Sequence, residues 1–247
     1  MILEICAGTL ESAIAAARGG AQRVELCSAL GEGGLTPSIG MIKTVREIPG
    51  LSLHVLIRPR GGDFVYSASD IECMTEGIHA ATACGCDGIV IGALTPDGDI
   101  DTGTCRRLIE ATGGSGINIT FHRAFDLCRD PLGALEQIID LGCNRILTSG
   151  QAATAEQGIP MLKKLHEQAA GRLGILPGSG VTPANAARIL KCTGCRELHA
   201  SARAEVASPM EYRRQGVSMG APAADEFTRK ETSPQTVREL LEQMSTI

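Results

Sequence analysis

Short runs rich in Ile, Leu and Val alternate along this chain with longer stretches whose apolar residues recur every three or four positions. The short runs read as buried strands at Ile2–Cys6, Arg23–Cys27, Leu53–Arg58, Gly88–Gly92, Ile117–His122, Arg145–Thr148, Gly174–Pro177 and Glu197–Ala200. The longer stretches predict helices near 10–19, 39–47, 69–84, 102–111, 132–141, 155–169, 184–192 and 234–245. Ser38, Ser69, Asp101, Asp130 before Pro131, Thr182 before Pro183 and Ser233 before Pro234 supply helix starts. Strands that alternate with helices form parallel sheets, because a parallel pair needs a crossover.

A weak repeat argues that the sheet closes. Gly-Ala-Gln-Arg-Val-Glu-Leu from Gly20 is echoed from Gly85, Gly142 and Gly194, each time as a helix-ending glycine, a short turn and a buried strand. These units precede strands two, four, six and eight. A doubly wound sheet gives no reason for such even spacing. The expected fold is therefore α/β, a single (β/α)8 TIM barrel spanning 1–247, with a C-terminal loop and helix as an extension. No linker divides the chain, and only 205–232 reads as irregular, either a functional loop or an oligomer contact.

Alternation along each strand separates helix-facing from interior positions. Leu3, Ile5, Val24, Leu26, Val55, Ile57, Ile119 and Phe121 face the helices. Glu4, Cys6, Glu25, Cys27, His54, Arg58, Asn118, Thr120, His122, Glu197, His199 and Ser201 then point inward. Unpaired charge inside a core costs several kcal/mol per group, so Glu4, Glu25, Arg58 and His122 must neutralise one another, bind an ion or line a wet pocket. They are the candidate catalytic set. The loops after strands three and five add Arg60, Asp63, Arg123 and Asp126 at the mouth, and guanidinium groups bind carboxylate and phosphate. Gly178, Ser179 and Gly180 after strand seven, with Ser201 after strand eight, occupy the place where many barrels hold phosphate. Each of these has a bland alternative, a solvated rim charge or a tight turn.

Composition narrows the partners. A net charge of −5 and a pI near 5.6 argue against nucleic acid and anionic membranes, and 2% aromatics with no Trp argue against base stacking. A metal ion or a small anionic molecule is the better partner. The start Met-Ile-Leu-Glu-Ile-Cys does not read as an export signal, so a cytoplasmic location with reduced thiols is expected for the 10 cysteines. Cys6 and Cys27 stand at matching places on neighbouring strands, close enough to share Cu(I) or simply to pack as small hydrophobes. Glu4, Glu25 and His122 offer a third option, a hard divalent metal. Cys84-Gly-Cys86 and Cys192-Thr-Gly-Cys195 fall on helix-to-strand turns and read as structural.

With these residues in view, the chain resembles the copper homeostasis protein CutC family. The resemblance rests on Leu3-Glu-Ile-Cys6, Arg23-Val-Glu-Leu-Cys27, Glu32-Gly-Gly-Leu-Thr-Pro-Ser38 and Ile57-Arg-Pro-Arg-Gly-Gly-Asp-Phe64. Thr120-Phe-His-Arg-Ala-Phe-Asp126, Leu147-Thr-Ser-Gly150 and the region from Ser208 add to it, and Ser149 joins the ligand-binding candidates. It implies a cytoplasmic barrel that forms a homodimer or higher homo-oligomer, with Cu(I) on cysteines matching Cys6 and Cys27. Two functions stay open at this point. One is copper handling through the thiols. The other is an enzyme acting on a small anionic or phosphorylated metabolite, with Glu4 or Glu25 and His122 as acid and base and Arg58 as clamp.

Overall fold

The computed structural model describes residues 1–214, 216–217 and 227–247. Its first half comprises β1 (Ile2–Ala7), α1 (Leu10–Gly19), β2 (Arg23–Leu26), α2 (Ile39–Arg46), β3 (Ser52–Leu56), α3 (Ala68–Ala83), β4 (Gly88–Ile91) and α4 (Thr102–Glu110). The second half comprises β5 (Asn118–Phe121), α5 (Pro131–Asp140), β6 (Arg145–Thr148), α6 (Ile159–Ala169), β7 (Gly174–Pro177), α7 (Ala186–Thr193) and β8 (Glu197–Ala200). Three further elements follow, β9 (Arg203–Ala207), β10 (Thr228–Thr232) and α8 (Pro234–Met244). The parallel strands run in the order β7-β6-β5-β4-β3-β2-β1-β8. The backbone of Gly178, just past β7, comes so near the His199 side chain on β8 that a Cβ would lie 3.3 Å from it. The two ends of the sheet thus meet, and the TIM barrel is nearly closed.

The four repeated glycines explain how each helix hands over to a strand. Gly20, Gly85, Gly142 and Gly194 have φ of 96°, 77°, 78° and 79°, a left-handed backbone open to glycine at little cost. The strands they feed, β2, β4 and β6, are buried along their whole length, and β8 is half-buried at alternate positions. Helix-facing Leu3, Ile5, Val24, Leu26, Val55, Ile89, Ile91 and Phe121 are all at 0% exposure and form the layer between barrel and helices. That layer carries most of the hydrophobic stabilisation.

Two expected caps move, and α6 starts at Ile159 rather than near 155. α3 begins after Ser67 rather than Ser69, because Ser67 and Asp70 cap each other's backbone reciprocally. Asn185, not Thr182, precedes α7, and its side chain accepts from the Thr182 N–H at 2.8 Å. The stretch expected to be irregular, 205–232, carries strands at both ends: β9 and β10 pair antiparallel, Arg203 opposite Thr232 through Ala207 opposite Thr228. Its centre, position 215 and positions 218–226, lies outside the described residues. β10 is tied to the barrel by Glu231, whose carboxylate accepts from the hydroxyls of Thr9 and Ser12, both at 2.5 Å. No helix among the described residues is long and apolar enough to cross a membrane.

Candidate functional site

The interior polar residues sort into a buried lower tier and an upper tier that opens to solvent. In the lower tier Arg23 donates to Glu4 and to Glu197, and Arg145 lies 3.4 Å from Glu197. Glu4 is 1% exposed and also bonds His199 Nδ1 at 2.7 Å. Burial opposes its charge, but the His199 hydrogen bond and the Arg23 cation outweigh that and hold its carboxyl far below the usual range. Glu4 is therefore a paired anion beneath the cavity, not one of the groups lining it.

The register of the barrel decides the upper tier. Cys6 on β1 is level with Glu25 on β2, not with Cys27, and Glu4 is level with Arg23. The expectation of matched cysteines is corrected by this stagger, which comes from strand tilt in a closing barrel. The side chains nonetheless converge: Cys6 Sγ and Cys27 Sγ are 3.7 Å apart, and Cys27 Sγ is 3.5 Å from Glu25 Oε2. The ligand atoms of Cys6, Glu25 and Cys27 all lie within 4.8 Å of one another. Glu4, Glu25 and His122 form no comparable group among the described residues, so the divalent-metal trio does not assemble.

His199 lies beside the cluster. Its Nδ1 faces Glu4 and its Nε2 lies 3.8 Å from Glu25 Oε2. Burial disfavours the imidazolium, but hydrogen bonds to Cys6 and Glu4 raise its pKa well above the ordinary histidine value. The Cys6 thiol is held well below its usual pKa, first by the Cys27 hydrogen bond, against burial and with help from His199. Cys27 shifts the other way, because its shared hydrogen bond with Cys6 and its burial favour the thiol. Burial, then the Cys6 charge, pushes Glu25 up to about 8. The cluster thus favours charge on Cys6 and His199 and disfavours it on Cys27 and Glu25.

Above it opens a cavity of about 610 Å3, lined among others by Cys6, Glu25, Arg58, His122, His199 and Arg203. That volume suits a small molecule. Arg58 is 5% exposed and gives its terminal nitrogens to the carbonyls of Glu32, Gly34 and Gly62 at 2.7, 2.9 and 2.8 Å, pinning two loops. Arg123, Asp126, Ser179, Gly180 and Ser201 also line the cavity. Asp126 is committed to Arg123 Nε, the Thr148 hydroxyl and the amides of Ser149 and Gln151. Ser149, fully buried, steadies Arg123 from behind at 3.2 Å. Arg60 and Asp63 pair with each other at 3.1 Å and do not line the cavity, and neither does Gly178.

Comparisons with known proteins give the family and the fold. The family model described as CutC family matches residues 1–204. The chain belongs to the CutC family. This CutC-family chain is 54% identical to a family protein CutC of Chromobacterium violaceum, over 98% of this chain and 97% of that one. It is 46% identical to a human protein named copper homeostasis protein cutC homolog, over 97% and 87%. The solved CutC structure from Streptococcus agalactiae superposes with a TM-score of 0.78 at 36% identity, over 81% of this chain and 98% of that one.

His199 beside the cluster and Arg23 in the lower tier were not among the candidate site residues. Alternation already turned His199 inward, and the same rule applied one step earlier on β2 turns Arg23 inward. Arg203 was missed because it lies past the expected end of strand eight, just before the stretch read as irregular.

Proposed function

We propose that this CutC-family chain is a cytoplasmic protein of copper homeostasis that binds Cu(I) through Cys6 and Cys27, with His199 as third ligand. The observation that carries the reading is the 3.7 Å separation of the two sulfurs at the barrel top. With metal–sulfur bonds of about 2.3 Å, that separation subtends an angle of about 107° at the ion, bent rather than linear. A bent pair leaves room for a third donor, and imidazole suits copper. His199 is prepared for it: Glu4 takes the Nδ1 side at 2.7 Å and leaves Nε2 facing the cluster. A carboxylate behind a ligating histidine fixes its tautomer and strengthens it as a ligand. Association into a homodimer or higher homo-oligomer accords with the apolar side chains that Leu127, Met210, Tyr212 and Val217 expose.

The test is a Cu(I) titration of the reduced protein against a competing chelator, wild type beside Cys6→Ser/Cys27→Ser. One-to-one binding that the double variant loses supports the reading. Binding unchanged in the variant refutes it.

A second reading, an enzyme acting on a small anionic molecule, is favoured by the cavity itself. Glu25 is pushed up to about 8 by burial, while burial and the Arg58 charge push His122 down to about 3. A protonated carboxyl and a neutral imidazole lining one cavity can supply an acid and a hydrogen-bond donor.

A further inference from the structure

We infer that the barrel-top cavity binds a small carboxylate through His122 and Arg58. The inference gives the ligand class for the second reading and rests on it, and it is independent of copper.

His122 follows β5 and is 4% exposed. Its Nδ1 accepts the Ala124 N–H at 3.1 Å, so the neutral ring carries its proton on Nε2. That Nε2 is buried without a hydrogen-bond partner among the described residues. The ring is held in place: a Cβ at Gly92 would sit 2.5 Å from Nδ1, and Phe64 packs with its centroid 5.0 Å away. The donor is fixed and unanswered.

Arg58 supplies the charge. Its guanidinium lies 5.1 Å over the Phe64 ring, and its Nε is also buried without a partner. Among the described residues no carboxylate comes within ion-pair distance of it, and the cation is answered by carbonyl dipoles and the Phe64 ring face alone, without a counter-charge. A buried cation without a counter-charge is costly. Arg203, exposed at the same cavity, likewise has no carboxylate within ion-pair distance among the described residues. The wall therefore offers two unanswered buried donors and an excess of positive charge. A ligand that answers both brings one negative charge and at least two acceptor oxygens.

Carboxylate fits better than phosphate. The Gly178 N–H is already given to Thr148 O at 3.0 Å and the Ser179 hydroxyl to Ala153 O at 3.0 Å. β8 runs on into β9 rather than into a helix, so the helix N-terminus that holds phosphate after strand eight in many barrels is not presented there.

The test uses protein labelled with 15N in its histidine rings, titrated with pyruvate, malonate and 2-oxoglutarate, and separately with inorganic phosphate and the neutral pyruvamide. The expected result is a saturable shift of the His122 Nε2 resonance with at least one carboxylate and with neither control. His122→Phe, which keeps a ring against Phe64, should weaken that binding about tenfold. No shift with any of the three carboxylates in the millimolar range overturns the inference, as does pyruvamide or phosphate binding as tightly. The wild-type resonance decides the matter even if His122→Phe fails to fold. A bound carboxylate that stays unconsumed over a time course supports the inference and overturns the enzyme reading alone.

Discussion

Arg23 is the most exacting place to test whether the lower tier is a charge network that holds the site. It is 3% exposed and donates to both Glu4 and Glu197. Burial works against its charge, but the two carboxylates outweigh that and raise its pKa above the ordinary arginine value. Arg23→Leu leaves Glu4 to His199 and Glu197 to Arg145, one cation short. Removing one partner of a buried ion pair costs about 3–5 kcal/mol, because the charge left behind is desolvated. For a chain of 247 residues, at about 2–4 °C per kcal/mol, this lowers Tm by roughly 6–20 °C. Urea unfolding with a check on the m-value, alongside thermal melts, measures it. Glu4→Gln gives the control: if the two groups answer each other, the double variant loses less than the sum of the singles, by about 0.5–3 kcal/mol. A cost below about 1 kcal/mol for Arg23→Leu, or strict additivity, would refute the network.

Further tests concern single groups. His122 has a pKa pushed down to about 3 by burial, so its contribution is present above the unfolded value near 6.5 and lost as pH falls toward 3. Relative to His122→Phe, the wild type should lose about 1.4 kcal/mol per pH unit below pH 6, and a flat difference would contradict the assignment. Gly92→Ala should destabilise the protein by about 1–3 kcal/mol in denaturant unfolding, because the new methyl would lie 2.5 Å from His122 Nδ1; a neutral outcome would mean the ring moves freely. Cys27 and His199 are raised, so Cu(I) uptake near pH 7 should release protons, counted in weakly buffered solution. Release of none would remove His199 and Cys27 together from the ligand set.

The barrel was legible because each strand repeats one rule: apolar residues toward the helices at alternate positions, with a left-handed glycine before every second strand. Glu25, Arg58, His122 and Cys6 were placed at the cavity by that rule alone, and they line it. What alternation leaves open is the stagger between strands. It says that Glu4 points inward but not that Arg23 and His199 are the groups it meets, and those contacts take Glu4 out of the cavity. Arg58 looked like a clamp, yet its terminal nitrogens are held by three loop carbonyls that lie far from it in sequence or in an adjoining turn. The β9–β10 hairpin escaped notice because Arg203-Ala-Glu-Val-Ala is largely exposed and has no apolar face to betray a strand.

X-ray absorption at the copper edge on Cu(I)-loaded protein is the most direct measurement of the proposed site. Two sulfur scatterers at about 2.3 Å with one nitrogen neighbour, and loss of that nitrogen in His199→Ala, are the expected result. A shell without sulfur, or an ion that keeps both sulfurs after Cys6→Ser/Cys27→Ser, would place copper elsewhere on the chain.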